Sequence, residues 1–355
     1  MDDINKKSKE ELMRDMKPPG AYLDSLTGFT DIIGTIRQAE NAAKELLKET
    51  SGPVKNDKNT EQPVKDFKDD EQAEEAPVDE KTLDELLETL DILVGLDNIK
   101  QSVKSLINYV KIRKLREENE LPNPPLSLHM VFTGNPGTGK TTVARILSEL
   151  YKAIGVLSKG QLVEVDRSGL VAGFVGQTAI KTSEAVTSAL GGILFIDEAY
   201  ALAPEPGTGN DFGREAIEAL LKLMEDHRND LIVIVAGYSE PMERFITSNP
   251  GLESRFNRYF YFPDYNSDEL YDIFDTMCSK SEYLLTDDAK EYAREHFGMI
   301  YETREENFGN ARHVRNFFEN IVTVHSDRVS SLDGHTRDDL TMVIKEDLEN
   351  AAEMQ

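Results

Sequence analysis

Apolar positions recur along this chain with two different periods, and the places where the period changes divide it. Residues 1–20 are charged and end in Pro18-Pro19-Gly20, which reads as a tail. From Tyr22 to Leu47 the apolar positions Leu23, Leu26, Ile32, Ile33, Ile36, Ala39, Ala43, Leu46 and Leu47 follow helical spacing. Gly28 and Gly34 weaken the first half, so one good helix and one broken one are expected. Residues 51–81 are rich in Lys, Asp, Glu, Pro and Asn and poor in aliphatics, the composition of a disordered acidic linker. Order resumes at Thr82, which with Glu85 forms a capping box ahead of Leu83, Leu86, Leu87 and Leu90. A second helix from about Asp97 carries Ile99, Val103, Leu106, Ile107 and Val110 on one face.

Short apolar runs then alternate with amphipathic stretches. The runs are His129–Thr133, Gln161–Val165, Gly192–Ile196, Leu231–Ala236 and Tyr259–Phe262. Strand and helix in alternation predict a parallel sheet covered on both faces. Beyond Pro263 the strand signal stops, and helices are expected near Ser267–Ser279, Asp287–Phe297, Ala311–Val329 and Asp338–Asn350. The expected organisation is a tail and helical element at 1–50, the linker at 51–81, an α/β domain at 82–263 and a small helical domain at 264–355.

Composition narrows the partners. Among 355 residues, 66 acidic against 40 basic give a formal charge of −26. Such a surface repels nucleic-acid phosphates and anionic lipid, so neither is expected as the principal partner. The one cysteine, Cys278, has no partner for an internal disulfide, which fits a reducing compartment. With no apolar run long enough to span a bilayer and no signal-peptide core in MDDINKKSKEE, a soluble, cytoplasmic protein without membrane insertion is expected.

The chemistry is concentrated in two motifs. Gly134-Asn135-Pro136-Gly137-Thr138-Gly139-Lys140-Thr141 fits the phosphate-loop pattern G-x-x-x-x-G-K-[ST], with a strand before it and a helix beginning at Thr141 and Thr142 after it. Its glycines let backbone N–H groups turn inward around a phosphate, and the helix N-terminus adds partial positive charge. Lys140 is expected to neutralise the β- and γ-phosphates of ATP, and Thr141 to place its hydroxyl on Mg²⁺. Ile193-Leu194-Phe195-Ile196-Asp197-Glu198 then sets two carboxylates at the end of a strand. Asp197 is expected to hold Mg²⁺ and Glu198 to orient and deprotonate the attacking water, which points to hydrolysis.

With these residues in hand the chain resembles the AAA+ ATPases, in particular the subgroup of CbbX, the red-type rubisco activase, and stage V sporulation protein K. The ATPase core of the EccA proteins is also similar. SLHMVFTGNPGTGKTTVAR, LVAGFVGQTAIKT, GGILFIDEAYAL, LIVIVAGY, NPGLESRFNRYFYFPDY and GNARHVRNFFE carry the resemblance, from about Val94 to about Arg328; residues 1–80 match no familiar domain. The resemblance implies an α/β fold, a P-loop NTPase with a parallel five-stranded sheet covered by helices on both faces, followed by a small all-helical lid domain.

It also implies roles. Val94 and Gly95 look like the segment that contacts adenine. Arg255 looks like the arginine finger that reaches a neighbouring subunit, with Arg258 as the alternative. Arg312, in Gly309-Asn310-Ala311-Arg312, looks like the sensor-2 arginine, with Arg315 as the alternative. The fourth strand ends Ala236-Gly237-Tyr238-Ser239 where other members carry Asn or Thr, so Tyr238 or Ser239 would order the water. Phe174-Val175-Gly176 resembles the pore loop of threading ATPases, the competing reading being an aromatic plug packed under a loop. Pro204–Asp211 reads as a mobile loop, a candidate second pore loop. Together these imply a ring hexamer that couples ATP hydrolysis to remodelling of a target protein. A rubisco activase specifically, and an ATP-dependent scaffold or switch that pulls on nothing, are the alternatives.

Overall fold

The structure is a computed structural model that describes residues 81–124, 127–174, 176–203, 212–332 and 334–354. The helical element expected at Tyr22–Leu47, the linker through residue 80, Val175 and the 204–211 loop lie outside the described residues. The described residues belong to one compact unit, Pro77–Gln355.

In chain order, α1 (Leu83–Asp91) and α2 (Asp97–Glu118) precede β1 (Met130–Thr133), α3 (Lys140–Ala153), β2 (Leu162–Val165), α4 (Arg167–Leu170) and α5 (Thr178–Ser188). After β3 (Ile193–Ile196) and a 3₁₀ turn at Ala199–Leu202 come α6 (Phe212–Asp226), β4 (Ile232–Gly237), α7 (Ser239–Thr247), α8 (Pro250–Arg255) and β5 (Arg258–Tyr261). The lid holds α9 (Ser267–Lys280), β6 (Leu284–Leu285), α10 (Asp287–Glu302), α11 (Ala311–Ser330), α12 (Arg337–Thr341), β7 (Met342–Val343) and α13 (Lys345–Ala352).

The first five strands form one parallel sheet in the order β2-β3-β4-β1-β5. Strand period decides which residues enter which core. Met130, Phe132, Ile193, Phe195, Ile232 and Ile234 face one side, packed with α1, α2 and α3. Val131, Leu194, Ile196, Val233 and Val235 face the other, against α5, α6 and α7. Central strands buried on both faces need continuous apolar runs, which is why β3 and β4 read as ILFI and IVIVAG. The Thr82–Glu85 capping box is formed, and all five predicted α2 residues are buried.

The lid departs from the expectation of an all-helical domain. β6 and β7 pair in parallel, Leu284 with Met342 and Leu285 with Val343. The helix expected over Asp338–Asn350 is therefore two helices, broken at the extended residues between α12 and α13. Arg328 fixes that break: it donates to both carboxylate oxygens of buried Asp347, at 2.8 Å each, and to the Met342 carbonyl at 2.9 Å.

Two buried histidines set an acid limit on stability. His129 accepts the Val233 amide on Nδ1 at 3.0 Å, and His296 stacks on Phe317 with ring centroids 4.2 Å apart. Burial pushes each down from 6.5 to about 4, helped by the charge of Arg255 for His129 and by His313 for His296. The unfolded chain therefore takes these protons first. Stability is full above pH 6.5 and falls progressively toward pH 4, by on the order of 2 kcal/mol per histidine at pH 5. Melting curves between pH 7 and pH 5 should show a shallower acid loss for His296→Phe, which keeps the ring stack, than for the natural chain. Equal slopes would contradict this.

Candidate nucleotide-binding and hydrolysis site

The sheet order places the carboxyl ends of β1, β4 and β3 side by side, and the connections out of β1 and β4 leave in opposite directions. That is the switch-point crevice where open α/β sheets receive ligands. The β1 exit is tied to the β4 exit by the Gly134 N–H, which donates to the Gly237 carbonyl at 3.2 Å. A cavity of about 530 Å³ opens there. It is lined by Gly134, Pro136, Gly137, Gly139, Lys140, Thr141 and Thr142 from the loop, Asp197 and Glu198 from β3, and Tyr238 from β4.

The phosphate loop has the backbone that its glycines allow. Gly134, Gly137 and Gly139 all have positive φ, of 144°, 71° and 92°. A Cβ on Gly137 would overlap the Gly309 carbonyl oxygen, so only glycine fits between the loop and the lid. Thr138 is buried and caps the Asn135 carbonyl at 2.8 Å, fixing the turn from within. Lys140 donates from Nζ to the carbonyls of Gly134 and Asn135, at 2.8 Å each. Burial pushes its ammonium down to about 8, against the opposing pull of Asp197. The residues thus form a glycine-lined cradle holding one half-desolvated cation, which fits a polyphosphate. Among the described residues no three His, Cys, Asp or Glu side chains gather into a metal site. A divalent ion here would draw on Thr141, Asp197 and nucleotide oxygens together.

Around Glu198 the chain is constrained. Its φ of 46° is left-handed, and its N–H donates to its neighbour's Asp197 Oδ1 at 3.0 Å. Tyr200 lies across the β4 exit, its ring centroid 6.1 Å from that of Tyr238. A Cβ on Gly237 would come within 2.7 Å of the Tyr200 ring. Burial, then the charge of Glu198, push the Tyr200 hydroxyl up to about 12. Tyr238 lines the cleft and Ser239 does not; Ser239 opens α7 instead.

Of the two residues expected to contact adenine, one lines the cleft and the other does not. Val94 lines it beside Ile92, Leu93 and Leu96. Gly95, at φ 60°, faces the lid, where a Cβ would strike the Glu269 carboxylate. From the lid come Tyr265, Ile273, Thr276, Met277 and Lys280 with Arg312 and Arg315. Sequence reading missed the α9 residues. Their signal was the recurrence of Ile273, Thr276, Met277 and Lys280 on one helical face, which periodicity marks without saying what it meets.

Three predicted residues lie elsewhere. Arg255, at the end of α8, lines a separate cavity of about 710 Å³ with His129, Ser127 and Arg113, beside the amino ends of β1 and β4. There it pairs with Glu225 at 3.3 Å. Arg258 donates to the Ser127 carbonyl at 3.0 Å and lies over the Tyr109 ring, so it is engaged in packing α2 against β5. Phe174, between β2 and α5, is 71% exposed, which removes the packed-plug reading. A Cβ on either Gly173 or Gly176 would meet nothing within 4 Å.

Comparison with known proteins agrees with this geometry. Residues 130–264 match the ATPase family associated with various cellular activities (AAA), and residues 266–355 match the AAA lid domain. Stage V sporulation protein K of Bacillus subtilis is 40% identical over 267 residues, 75% of this chain and 82% of that protein. The chloroplastic ribulose bisphosphate carboxylase/oxygenase activase of Cyanidioschyzon merolae is 39% identical over 75% of this chain and 91% of its own. Protein CbbX of Cereibacter sphaeroides is 43% identical over 65% and 74%. A RuvB mutant from Thermotoga maritima superposes at a TM-score of 0.50 with 19% identity, over 75% of this chain and 72% of that one, a likeness of fold alone. The chain belongs to the AAA ATPase family, in the branch of CbbX, stage V sporulation protein K and rubisco activase. It is an ATP hydrolase with a nucleotide-binding α/β domain and a helical lid.

Proposed function

We propose that this ATPase assembles as a ring hexamer and uses ATP hydrolysis to draw a segment of a target protein through its centre. The observation that carries the reading is Phe174, a large aromatic side chain held 71% exposed in a glycine-flanked loop of a hydrolase. Exposure alone is ordinary for a single apolar side chain; what supports the reading is its place between Gly173 and Gly176, in a loop that resembles the pore loop of threading ATPases. The phosphate-loop amides and Lys140 hold the phosphates, with Val94 and the Leu96 side chain against the base. Thr141 and Asp197 would hold Mg²⁺, which when bound would supply charge neutralisation at the phosphoryl oxygens. Glu198 takes the proton of the attacking water, and Tyr238 helps to orient that water.

Arg312 reaches the nucleotide from the lid of the same chain. Arg255 completes a neighbour's site, a role suited to a guanidinium at the far end of the sheet from its own cleft. Residues 82–263 and 264–355 act as the two working domains, and residues 1–81 as a tethered appendage. The acidic surface of the chain, −26 overall, favours a protein partner over nucleic acid, in the cytoplasm. Among the relatives are a sporulation protein and a rubisco activase; the 80 residues ahead of the ATPase core favour the sporulation type or a further, uncharacterised relative.

The test traps the target. Glu198→Gln held in ATP should co-purify a reproducible partner, identified by mass spectrometry. Adding Phe174→Ala should release that partner while leaving the hexamer and nucleotide affinity within about twofold. A partner retained equally by both proteins would favour the alternative, an ATP-dependent scaffold that does not thread.

A further inference from the structure

The lid is joined to the phosphate loop through a small, partly buried polar cluster around buried Asn310. Asp264, just after β5, accepts hydrogen bonds from two amides that belong to different parts of the molecule. Asn135 of the phosphate loop donates to both its oxygens, at 2.9 and 3.1 Å, and Asn310 of the lid donates to Oδ1 at 2.7 Å. Arg304 adds a longer ion pair at 3.9 Å. Asn310 also donates to the carbonyls of Pro136, at 3.3 Å, and Phe308, at 3.0 Å, while its own side-chain oxygen accepts the Tyr265 N–H at 2.9 Å. One residue further, the Ala311 N–H donates to the Gly137 carbonyl at 3.2 Å. The loop carbonyls at 136 and 137 are thereby held by the first residues of α11.

Asn310 is in a conformation it would not take unaided. Its φ of 48° and ψ of −128° belong to a region that glycine occupies and other residues avoid, and the residue is 0% exposed. Such a backbone persists only where its surroundings over-determine it. Here the side-chain amide does so: its two N–H groups are shared among the Asp264 carboxylate and the Pro136 and Phe308 carbonyls, and its oxygen accepts the Tyr265 N–H. Arg312, two residues on, projects into the nucleotide cleft.

We propose that Asp264 and Asn310 are positioning residues that lock the start of α11 to the phosphate loop and so set the aim of Arg312. Any change in the loop around a phosphate then moves the first turn of α11 with it, because the same carbonyls are shared. The proposal rests on reading Arg312 as the lid residue that meets the nucleotide. It adds the link that makes the lid respond.

The decisive variant is Asn310→Gly. Glycine adopts the observed φ and ψ freely, so the backbone is kept and the four side-chain hydrogen bonds are removed. Asp264→Ala is the partner variant, and melting temperatures check that both fold. We expect Asn310→Gly to lower kcat at least about tenfold with KM within about threefold. In an Arg312→Ala background it should change kcat by less than about twofold, since the two residues act as one unit. A second reading does not depend on turnover. Spin labels at Ser188→Cys and Glu319→Cys, both exposed, in a Cys278→Ser background report the lid position. A non-hydrolysable ATP analogue should narrow their distance distribution in the natural chain and leave it broad in Asn310→Gly. Wild-type kcat in Asn310→Gly, or a further tenfold loss on top of Arg312→Ala, would overturn the proposal. If Arg312→Ala alone leaves kcat unchanged, the reading of Arg312 falls and the distance measurement decides the clamp: a distribution that narrows normally in Asn310→Gly overturns it.

Discussion

Lys140→Ala should weaken ATP binding by at least about two orders of magnitude, to the point where titration with a fluorescent ATP analogue detects none at micromolar protein. Nζ sits at the centre of the cradle, 2.8 Å from two loop carbonyls, and is already part-desolvated. To meet the phosphates the ammonium exchanges these carbonyls for phosphate oxygens a short distance away, and a charge-assisted hydrogen bond to each of two phosphates is worth about 1.5–3 kcal/mol. The loss therefore comes to about 3–6 kcal/mol, or a factor of roughly 10² to 10⁴. The nucleotide-free protein should melt within a few degrees of the natural chain. The lysine it lacks satisfies only two carbonyls and is costly to bury charged. Tight ATP binding by the variant would show that the cradle belongs to something other than a triphosphate.

Glu198→Gln should separate binding from turnover. The change is isosteric, so ATP affinity should stay within about threefold. If Glu198 is the base that we propose, removing its carboxylate should lower kcat by about 10² to 10⁴. The surroundings of the residue are compatible with that role. Glu198 stands in a left-handed backbone conformation at the β3 exit, its N–H held by Asp197 at 3.0 Å and Tyr200 close by. A single-turnover measurement with saturating ATP is the check, because it isolates chemistry from product release. Hydrolysis within tenfold of the natural chain would move the role of base to another group in the cleft.

Much of the architecture was legible in the residue order. The runs at Gly192–Ile196 and Leu231–Ala236 read as strands of a sheet covered on both faces, and both are central in the sheet. Strand boundaries shifted by one residue or so, as with Tyr259–Phe262 against the observed Arg258–Tyr261. The β6–β7 pair was invisible because two residues are too few to display any period. The helix expected over Asp338–Asn350 failed for a related reason. Its break is imposed by Arg328 and Asp347, a contact across 19 positions that no local propensity encodes.

The site divides in the same way. Residue order was enough for whatever depends on covalent neighbours: a loop whose glycines must adopt positive φ, a lysine at its end, and two acids at the tip of an apolar strand. Those constraints act over a few residues, so spacing alone carries them. The folded chain was needed for whatever depends on the angle between domains and on partners far apart in the chain. It gave Tyr265, Thr276, Met277 and Lys280 to the cleft, turned Gly95 toward Glu269 and set Arg255 at the other end of the sheet. It also brought Asn135 to Asp264 across 129 positions and Asn310 to Asp264 across 46. An amphipathic helix announces that one face will be covered, but the position of the lid selects which residues meet the nucleotide. A buried hydrogen-bond network is specified only once its donors and acceptors share a low-dielectric interior, which the folded chain alone provides.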